Sequence, residues 1–279
     1  MKIGIIGAGT MGRGIALTFA QKEEHQVLLC DMDLELAEQA LEQLKKELAR
    51  YIAKDIINKE LYESMLNRIS IGVKEDACHC DLVIEAIQEK TSTKQKLFSC
   101  LDAICKKDTI FASNTSSLSI TKLKEGLKRP LIGLHFFNPV PIMKLVEIIT
   151  TEDTSPELVE KMSNLAISLG KTPVLAKDHP GFIVNRILIP MINEASGVLA
   201  SGTATAEDID LAMKLGANHP IGPLALADLI GVDVCLAILE VFYQETNDEK
   251  YQPNELLIKM VEQGKLGRKT GIGFFQYGK

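Results

Sequence analysis

The chain has 279 residues, longer than one typical domain and sufficient for two with a large apolar core. Asp and Glu outnumber Lys and Arg by 37 to 31, and the net charge of -6 argues against a nucleic-acid-binding protein. The most apolar stretch, 221–243, carries three acidic residues, so we expect a buried helix and no membrane span. The sequence opens on a strand pattern with no signal or transit segment, which predicts a cytoplasmic protein.

Six scattered cysteines are too few for a disulfide framework in a chain of this size. The cluster Cys78-His79-Cys80 has no second pair of ligands at zinc-finger spacing, which favours a loop of reduced thiols. We therefore expect no metal site.

Short apolar runs alternate with helical patterns through the first half of the chain, as in Thr91–Cys105 and Pro156–Leu169. Runs of Ile, Val and Leu bounded by polar residues are typical of parallel strands buried on both faces. Repeated strand–helix–strand units predict a Rossmann-like, doubly wound α/β domain with a mostly parallel sheet. The predicted strands are Lys2–Ile6, Gln26–Asp31, Arg68–Ile71, Asp81–Ala86, Thr109–Ser113, Pro130–His135, Lys144–Thr150 and Pro173–Ala176.

The pattern changes after Gly181, where strand signals stop and helical ones continue with Gly and Pro at the joints. This change predicts an α/β domain over residues 1–181 and a smaller all-helical domain over residues 182–279. The predicted helices of the second domain are Phe182–Ala200, Ala206–Leu215, Pro223–Tyr243 and Asn254–Gln263.

A glycine-rich motif, G-x-G-x-x-G, lies between the first strand and a helical run at Met11–Gln21. In this context the first glycine permits a tight turn, the second a close approach of pyrophosphate, and the third close packing of helix and strand. The anion would bind the free N–H groups at the helix N-terminus. A tight turn with no ligand is the alternative. The residues of the motif are Gly7, Ala8, Gly9, Thr10, Met11 and Gly12.

An acidic residue, Asp31, ends the second strand 19 residues beyond Gly12. Its carboxylate can accept hydrogen bonds from the adenosine ribose hydroxyls and would repel a 2′-phosphate. The residues that follow it offer no arginine for such a phosphate, so the sequence favours NAD over NADP as the cofactor.

A histidine and a glutamate are predicted to face each other across a hairpin. His135 ends one strand, Asn138-Pro139-Val140-Pro141 forces a turn, and Glu147 is the lone carboxylate in the apolar strand that follows. A hairpin centred near Pro141 places His135 opposite Glu147, which needs a partner to offset the cost of its burial. The pair suits a general base for an alcohol, and a purely structural pair in a core fits the spacing equally well.

The chain resembles the L-3-hydroxyacyl-CoA dehydrogenase family over its whole length. The matching segments are Leu134–Pro141, Lys144–Glu147, Ser113–Ser117, Gly181–Arg186 and Gly267–Phe274. The chain is too short to contain an additional hydratase domain. In this respect it is similar to the short family members that act on 3-hydroxybutyryl-CoA. The resemblance implies hydride transfer between NAD and C3 of an acyl-CoA.

The resemblance also implies roles for individual residues. His135 would be the general base, Glu147 would stabilise its imidazolium, and Ser116 would hydrogen-bond the substrate oxygen. Asn185 would help to fix the substrate or the catalytic water network. Preorganised donors of this kind stabilise the negative charge that develops on oxygen.

By the same resemblance, Ala86, Glu89, Lys94, Ser116 and Asn138 would contact NAD. For Glu89 and Lys94 the alternative is an exposed helix start, where acidic residues are common.

The long connection between Asp31 and the third strand predicts two helices that form an extended arm, Glu35–Lys54 and Lys59–Leu66. Arg50 and Lys54 lie four residues apart and share a helix face. The family binds coenzyme A with this arm, so both side chains are candidates for its phosphates. The alternative is a solvated face whose charge is balanced by Glu42 and Glu47.

The resemblance finally implies a homodimer formed through the C-terminal helical domain, although its helices could instead form only an internal core. We therefore predict an NAD-dependent 3-hydroxyacyl-CoA dehydrogenase. Two other classes remain open: a related dehydrogenase of a free hydroxy acid, and a non-catalytic NAD-binding relative.

Overall fold

Residues 1–53 and 58–278 are described by a computed structural model. The chain divides into two compact units, Met1–His179 and Pro180–Lys279. The division lies two residues before the change of pattern at Gly181. Within the described parts of the chain, no helix combines the length and the apolar character needed to cross a bilayer.

The first unit is built on one eight-stranded sheet with the strand order β3-β2-β1-β4-β5-β6-β7-β8. All neighbouring strands run parallel except β6 and β7, which form an antiparallel hairpin. The order 3-2-1-4-5-6 is that of a Rossmann sheet, so the predicted fold class is confirmed. The strands are β1 (Lys2–Ile6), β2 (Gln26–Asp31), β3 (Ile69–Val73), β4 (Leu82–Glu85), β5 (Ile110–Ser113), β6 (Leu131–Phe136), β7 (Leu145–Thr150) and β8 (Thr172–Lys177).

Helices cover this sheet and close the main core of the first unit, which gathers buried Ile, Leu, Val and Phe side chains. The central strands β4 and β6 are buried at every position, as their apolar runs predict. The helices are α1 (Thr10–Ala20), α2 (Leu34–Ala53), α3 (Lys59–Asn67), α4 (Thr91–Ile104), α5 (Ile120–Leu123) and α6 (Pro156–Ser168).

The arm between β2 and β3 consists of α2 and α3, as predicted. Helix α2 buries Ala37, Ala40, Leu44 and Leu48, whose spacing of three and four residues places them on one face. Helix α3 begins after Asn58, whose side chain accepts a hydrogen bond from the Leu61 N–H at 2.8 Å. Lys54, a candidate for binding coenzyme A, lies outside the described residues.

The cysteine-rich segment forms one short 3-10 helix, Lys74–His79, rather than the loop expected from the sequence. All six cysteines are free thiols. Burial raises the pKa of the neighbouring Cys80 thiol to about 11, so this thiol is protonated at neutral pH.

The second unit is helical, with one correction to the predicted elements. The segment Pro223–Tyr243 forms two helices instead of one, because Gly231 adopts a φ of 112°, which is incompatible with a continuous helix. Apolar residues on both sides of this glycine hid the break. The helices are α7 (Val184–Ala200), α8 (Ala206–Gly216), α9 (Pro223–Ile230), α10 (Val232–Thr246) and α11 (Glu255–Glu262).

Candidate active site

The glycine motif forms the turn from β1 into α1. Gly7 has a φ of 104°, and a Cβ atom there would lie 2.6 Å from the Ala86 carbonyl oxygen. A Cβ on Gly12 would lie 1.7 Å from the Gly7 oxygen, so both positions require glycine. No side chain caps the N-terminus of α1, and a Cβ on Gly9 would meet no described atom within 4 Å. The turn can therefore receive a phosphate on the N–H groups of α1.

Asp31 lies beside this turn at the carboxyl end of β2. One of its carboxylate oxygens accepts the Ala8 N–H and the other accepts the Met32 N–H, both at 2.7 Å. Each oxygen retains a lone pair that a ribose hydroxyl can use. Arg13 is held by Glu47, with 3.1 Å between Nη2 and Oε1, and also donates to the Ala8 carbonyl. These residues fit NAD.

A cluster of charged side chains lies at the carboxyl ends of β4 and β5. Lys94 is 1% exposed, and its Nζ is 2.6 Å from Oε1 of Glu85 and 3.0 Å from Oε2 of Glu89. The expectation that Lys94 could lie at an exposed helix start is wrong, because it turns inward to these carboxylates. Ser116 donates its backbone N–H to Glu89 at 2.8 Å.

The two carboxylates of this cluster differ in acidity. Burial raises the pKa of Glu85 above its ordinary value, against the opposing influence of Lys94 and Ser113. Burial acts in the same direction on Glu89, but Lys94 and hydrogen bonds from Thr115 and Ser116 outweigh it and lower the pKa. Glu89 is therefore the carboxylate that stays ionised most readily.

His135 and Glu147 are directly opposite each other in the β6–β7 hairpin. Nδ1 of His135 lies 2.7 Å from Oε2 of Glu147, and the two residues are 5% and 0% exposed. The Asn114 side chain accepts the Phe136 N–H at 2.9 Å and so ties the end of β5 to this strand. Because opposite residues of an antiparallel pair share a face, the hairpin fixes the imidazole against the carboxylate.

Lys171 supports the turn of this hairpin from the start of β8. Its buried ammonium donates to the carbonyl oxygens of Val140 at 2.5 Å and of Met143 at 2.7 Å. Asn138, on the same turn, is exposed at the surface of the unit. Nothing in the local pattern around Lys171 predicted this contact, because the partners are carbonyl groups about 30 residues away.

A cavity of about 300 Å³ in the first unit brings three of the predicted residues together: Thr10 of the glycine turn, Arg50 of α2 and Asn138. The acidic residues that could have balanced Arg50 have other partners. Glu47 pairs with Arg13, and Glu42 pairs with Lys45 at 2.6 Å.

Family models match nearly the whole chain in two consecutive parts. The NAD-binding domain of 3-hydroxyacyl-CoA dehydrogenase matches residues 2–179, and the C-terminal domain of the same enzymes matches residues 181–277. The chain belongs to the 3-hydroxyacyl-CoA dehydrogenase family. The predicted resemblance is thereby confirmed, and so is NAD as the cofactor.

Individual members of the family are similar over full length. A 3-hydroxybutyryl-CoA dehydrogenase of Clostridioides difficile is 50% identical, covering 100% of both chains. A probable 3-hydroxybutyryl-CoA dehydrogenase of Bacillus subtilis (strain 168) is also 50% identical, over 99% of this chain and 97% of that protein. The crystal structure of (S)-3-hydroxybutyryl-CoA dehydrogenase from Ralstonia eutropha superposes with a TM-score of 0.94 at 46% identity, covering 100% of this chain and 99% of that one.

One buried polar residue of this dehydrogenase site, Glu85, was missed from the sequence. Glu85 accepts hydrogen bonds from the Ile87 N–H at 2.7 Å and from the Ser113 hydroxyl at 2.5 Å. The signal that found Glu147, a lone carboxylate in an apolar strand, is also present in Leu82–Glu85 and would have found Glu85.

Asn185, the remaining candidate, lies in the first turn of α7 in the second unit. Its contact with substrate stays a prediction.

Proposed function

We propose that the chain catalyses reversible hydride transfer between NAD(H) and C3 of a short 3-hydroxyacyl-CoA, the pair 3-hydroxybutyryl-CoA and acetoacetyl-CoA. The observation that carries the proposal is the buried contact of 2.7 Å between His135 and Glu147. It lies at the carboxyl edge of the sheet that also carries the glycine turn and Asp31, where open α/β sheets bind ligands.

His135 is the proton acceptor in this proposal. With Nδ1 directed to Glu147, Nε2 is the ring nitrogen that takes the proton of the 3-hydroxyl group as the C3 hydrogen leaves with its electron pair. Bound NAD supplies the hydride acceptor at C4 of its nicotinamide ring. The carboxylate of Glu147 fixes the imidazole ring and offsets the positive charge that His135 gains. In the reverse direction His135 returns the proton to the oxygen.

The other residues bind and orient. Ser116 and Asn185 hydrogen-bond the substrate at the carbonyl oxygen, where negative charge develops. Ala86, Glu89 and Asn138 line the NAD site, and Lys94 acts there from below the surface by holding the Glu89 carboxylate. Arg50 and Lys54 bind the phosphates of coenzyme A, a role that the position of Arg50 beside the cavity supports.

The proposal is tested by following NADH oxidation with acetoacetyl-CoA for the wild type and His135→Ala. Loss of a positioned general base lowers kcat by about 10²- to 10⁴-fold. His79→Ala, which removes an exposed imidazole from the short 3-10 helix, is the matched control. Equal rates for wild type and His135→Ala would reject His135 as the base.

The same assay distinguishes the alternatives. Free acetoacetate in place of its CoA ester tests for a dehydrogenase of free acids, which would turn over both at similar kcat/KM. A non-catalytic relative would bind NADH with no turnover of any acyl-CoA. We expect turnover of the CoA ester alone.

We also propose that the protein is a homodimer formed by its second unit. Large apolar side chains there are exposed, among them Ile187 (68%), Leu215 (77%) and Leu229 (52%), and burying them in a symmetric interface is favourable. Light scattering should give twice the chain mass of 30.6 kDa. A cytoplasmic location is the accompanying proposal, and cell fractionation tests it.

A further inference from the structure

Glu85 contacts neither the glycine turn nor the His135–Glu147 pair through any hydrogen bond that the described residues show, yet it is fully buried at the carboxyl end of β4. We propose that Glu85 is a positioning residue for the reaction, acting on Ser116 through Lys94 and Glu89. The inference rests on the proposed function, in which Ser116 binds the substrate oxygen.

Glu85 is in direct contact with Lys94. Oε1 of Glu85 lies 2.6 Å from the ammonium of Lys94, and the side chains are 0% and 1% exposed. The same oxygen accepts the Ile87 N–H at 2.7 Å. Removing Glu85 takes from the buried ammonium its nearest and most buried counter-charge, and leaves it only the half-exposed Glu89. Glu85 therefore determines where the Lys94 ammonium lies.

Lys94, held by Glu85, in turn forms an ion pair with Glu89. Its ammonium lies 3.0 Å from Oε2 of Glu89, on the connection between β4 and α4, and 3.4 Å from the Ile87 carbonyl oxygen. The Glu89 side chain is 35% exposed, so without Lys94 it could turn to solvent. One ammonium held by Glu85 thus fixes a carboxylate that water would otherwise compete for.

Glu89 in turn holds the segment that carries Ser116. Its Oε1 accepts the Thr115 hydroxyl at 2.5 Å, the Ser116 N–H at 2.8 Å and the Ser117 N–H at 3.2 Å. The Ser116 and Ser117 hydroxyls lie farther from the same oxygen, at 3.4 Å and 3.3 Å. Five donors thus converge on one carboxylate oxygen and set both the path of the backbone at Ser116 and the position of its hydroxyl. A shift of this oxygen would move the Ser116 hydroxyl with it.

A second connection joins Glu85 to the same segment. The Ser113 hydroxyl donates to Oε2 of Glu85 at 2.5 Å and accepts the Thr115 N–H at 3.2 Å. Both oxygens of Glu85 therefore hold the segment, one through Ser113 and the other through Lys94 and Glu89.

Stability alone does not account for this arrangement. Glu85 and Lys94 are both almost fully buried, and burying two opposite charges costs free energy that apolar residues of similar volume would not. A role in catalysis accounts for this cost in stability. If the cluster fixes Ser116, it protects the rate, because an error of about 1 Å in a reacting group can lower a rate by about 10²-fold.

The test is a double-mutant cycle with Glu85→Gln, which removes the charge at nearly constant shape, and Ser116→Ala. The readout is kcat for acetoacetyl-CoA reduction at saturating NADH. Glu85→Gln should lower kcat by about 10-fold in the wild-type background and by less than about 2-fold in Ser116→Ala, because residues that act through one group are not additive. Lys96→Met, an exposed lysine on the same helix as Lys94, is the control and should match the wild type.

Equal losses in the two backgrounds, or no loss in either, would overturn the positioning role. Circular dichroism and thermal melting check that Glu85→Gln is folded. If it is not, Ser113→Ala replaces it in the cycle with the same expectation, since it removes one of the two connections. Failure of the proposed function is distinguishable, because the wild type itself would then not reduce acetoacetyl-CoA.

Discussion

The two ends of the mostly parallel sheet differ in whether their buried polar side chains have hydrogen-bond or ion-pair partners. At the carboxyl end, Glu85, Lys94, His135 and Glu147 are almost fully buried and all hydrogen-bonded or ion-paired. At the amino end, His25 precedes β2 and is 3% exposed, yet neither ring nitrogen has a hydrogen-bond partner among the described residues. These side chains are buried to a similar degree. The two ends of the sheet therefore differ in the hydrogen-bond and ion-pair partners of their buried residues.

The partners decide which charge state each end accepts. Burial lowers the pKa of His25, the amine of Met1 acts in the same direction, and Glu24 opposes them only partly. The ring packs edge-on against Phe19, with 5.5 Å between ring centroids. His25 is therefore a neutral core residue, whereas the carboxyl end holds charges in fixed positions.

The largest effect should follow from breaking the pair at the carboxyl end. Glu147→Gln removes the charge that stabilises the His135 imidazolium, and we expect kcat to fall by about 10²- to 10³-fold while the fold persists. Steady-state kinetics with acetoacetyl-CoA measures it. Glu152→Gln, at an exposed position just beyond β7, is the control. A kcat within about 2-fold of wild type would mean that His135 works without its carboxylate.

The substitution Lys171→Met should have the next largest effect, and this effect is on the stability of the fold. The change leaves the Val140 and Met143 carbonyl groups without their buried ammonium donor, at a cost of about 2–4 kcal/mol in the free energy of unfolding. Urea unfolding measures it, with the exposed Lys144→Met as the control. An unchanged midpoint would show that the hairpin turn holds its shape unaided.

His25→Leu tests the amino end of the sheet. It should have a smaller effect on stability, seen mainly in how stability depends on pH. At pH 7 we expect unfolding free energy within about 1 kcal/mol of wild type, because no hydrogen bond is lost. Below the ordinary histidine pKa of 6.5, the unfolded wild type binds a proton that the folded form resists, so wild-type stability falls as pH drops. The variant should lose less stability over that range. Parallel pH profiles for the two proteins would contradict a neutral His25.

The smallest effect concerns the reactivity of the cysteine thiols, which lie at both ends of the sheet. Burial raises the pKa of Cys30, near the carboxyl end of β2, to about 12, and that of Cys80, just before β4, to about 11. Cys100 is exposed on α4. Iodoacetamide at pH 7 should therefore label Cys100 well before either buried thiol, as peptide mass spectrometry can show. Rapid labelling of Cys30 or Cys80 would mean that one end opens readily.

Much of this architecture could be predicted because its signals are local. All eight strands lie within two residues of their predicted bounds, since each is a short apolar run between polar residues. The opposition of His135 and Glu147 followed from counting residues on either side of a proline-containing turn. Neither inference needed contacts distant in sequence.

What could not be predicted depends on such distant contacts. Lys94 resembles a surface residue of an amphipathic helix until β4 brings Glu85 to it. Lys171 binds carbonyl groups, which carry no sequence signal. The helix break at Gly231 coincides with the approach of the C-terminal segment, where Lys269 pairs with Asp233 at 2.5 Å. In each case tertiary packing overrides the local pattern.

The reversal of chain direction at β7 makes the length of the turn before it as important as the residues it joins. Inserting or deleting one residue between 137 and 144 would shift the pairing so that Val146 or Ile148, in place of Glu147, stood opposite His135. Since neighbouring side chains on a strand point to opposite faces, the carboxylate would then leave the imidazole altogether. Loop grafting in this enzyme must therefore conserve residue number in that turn, even where it changes every side chain.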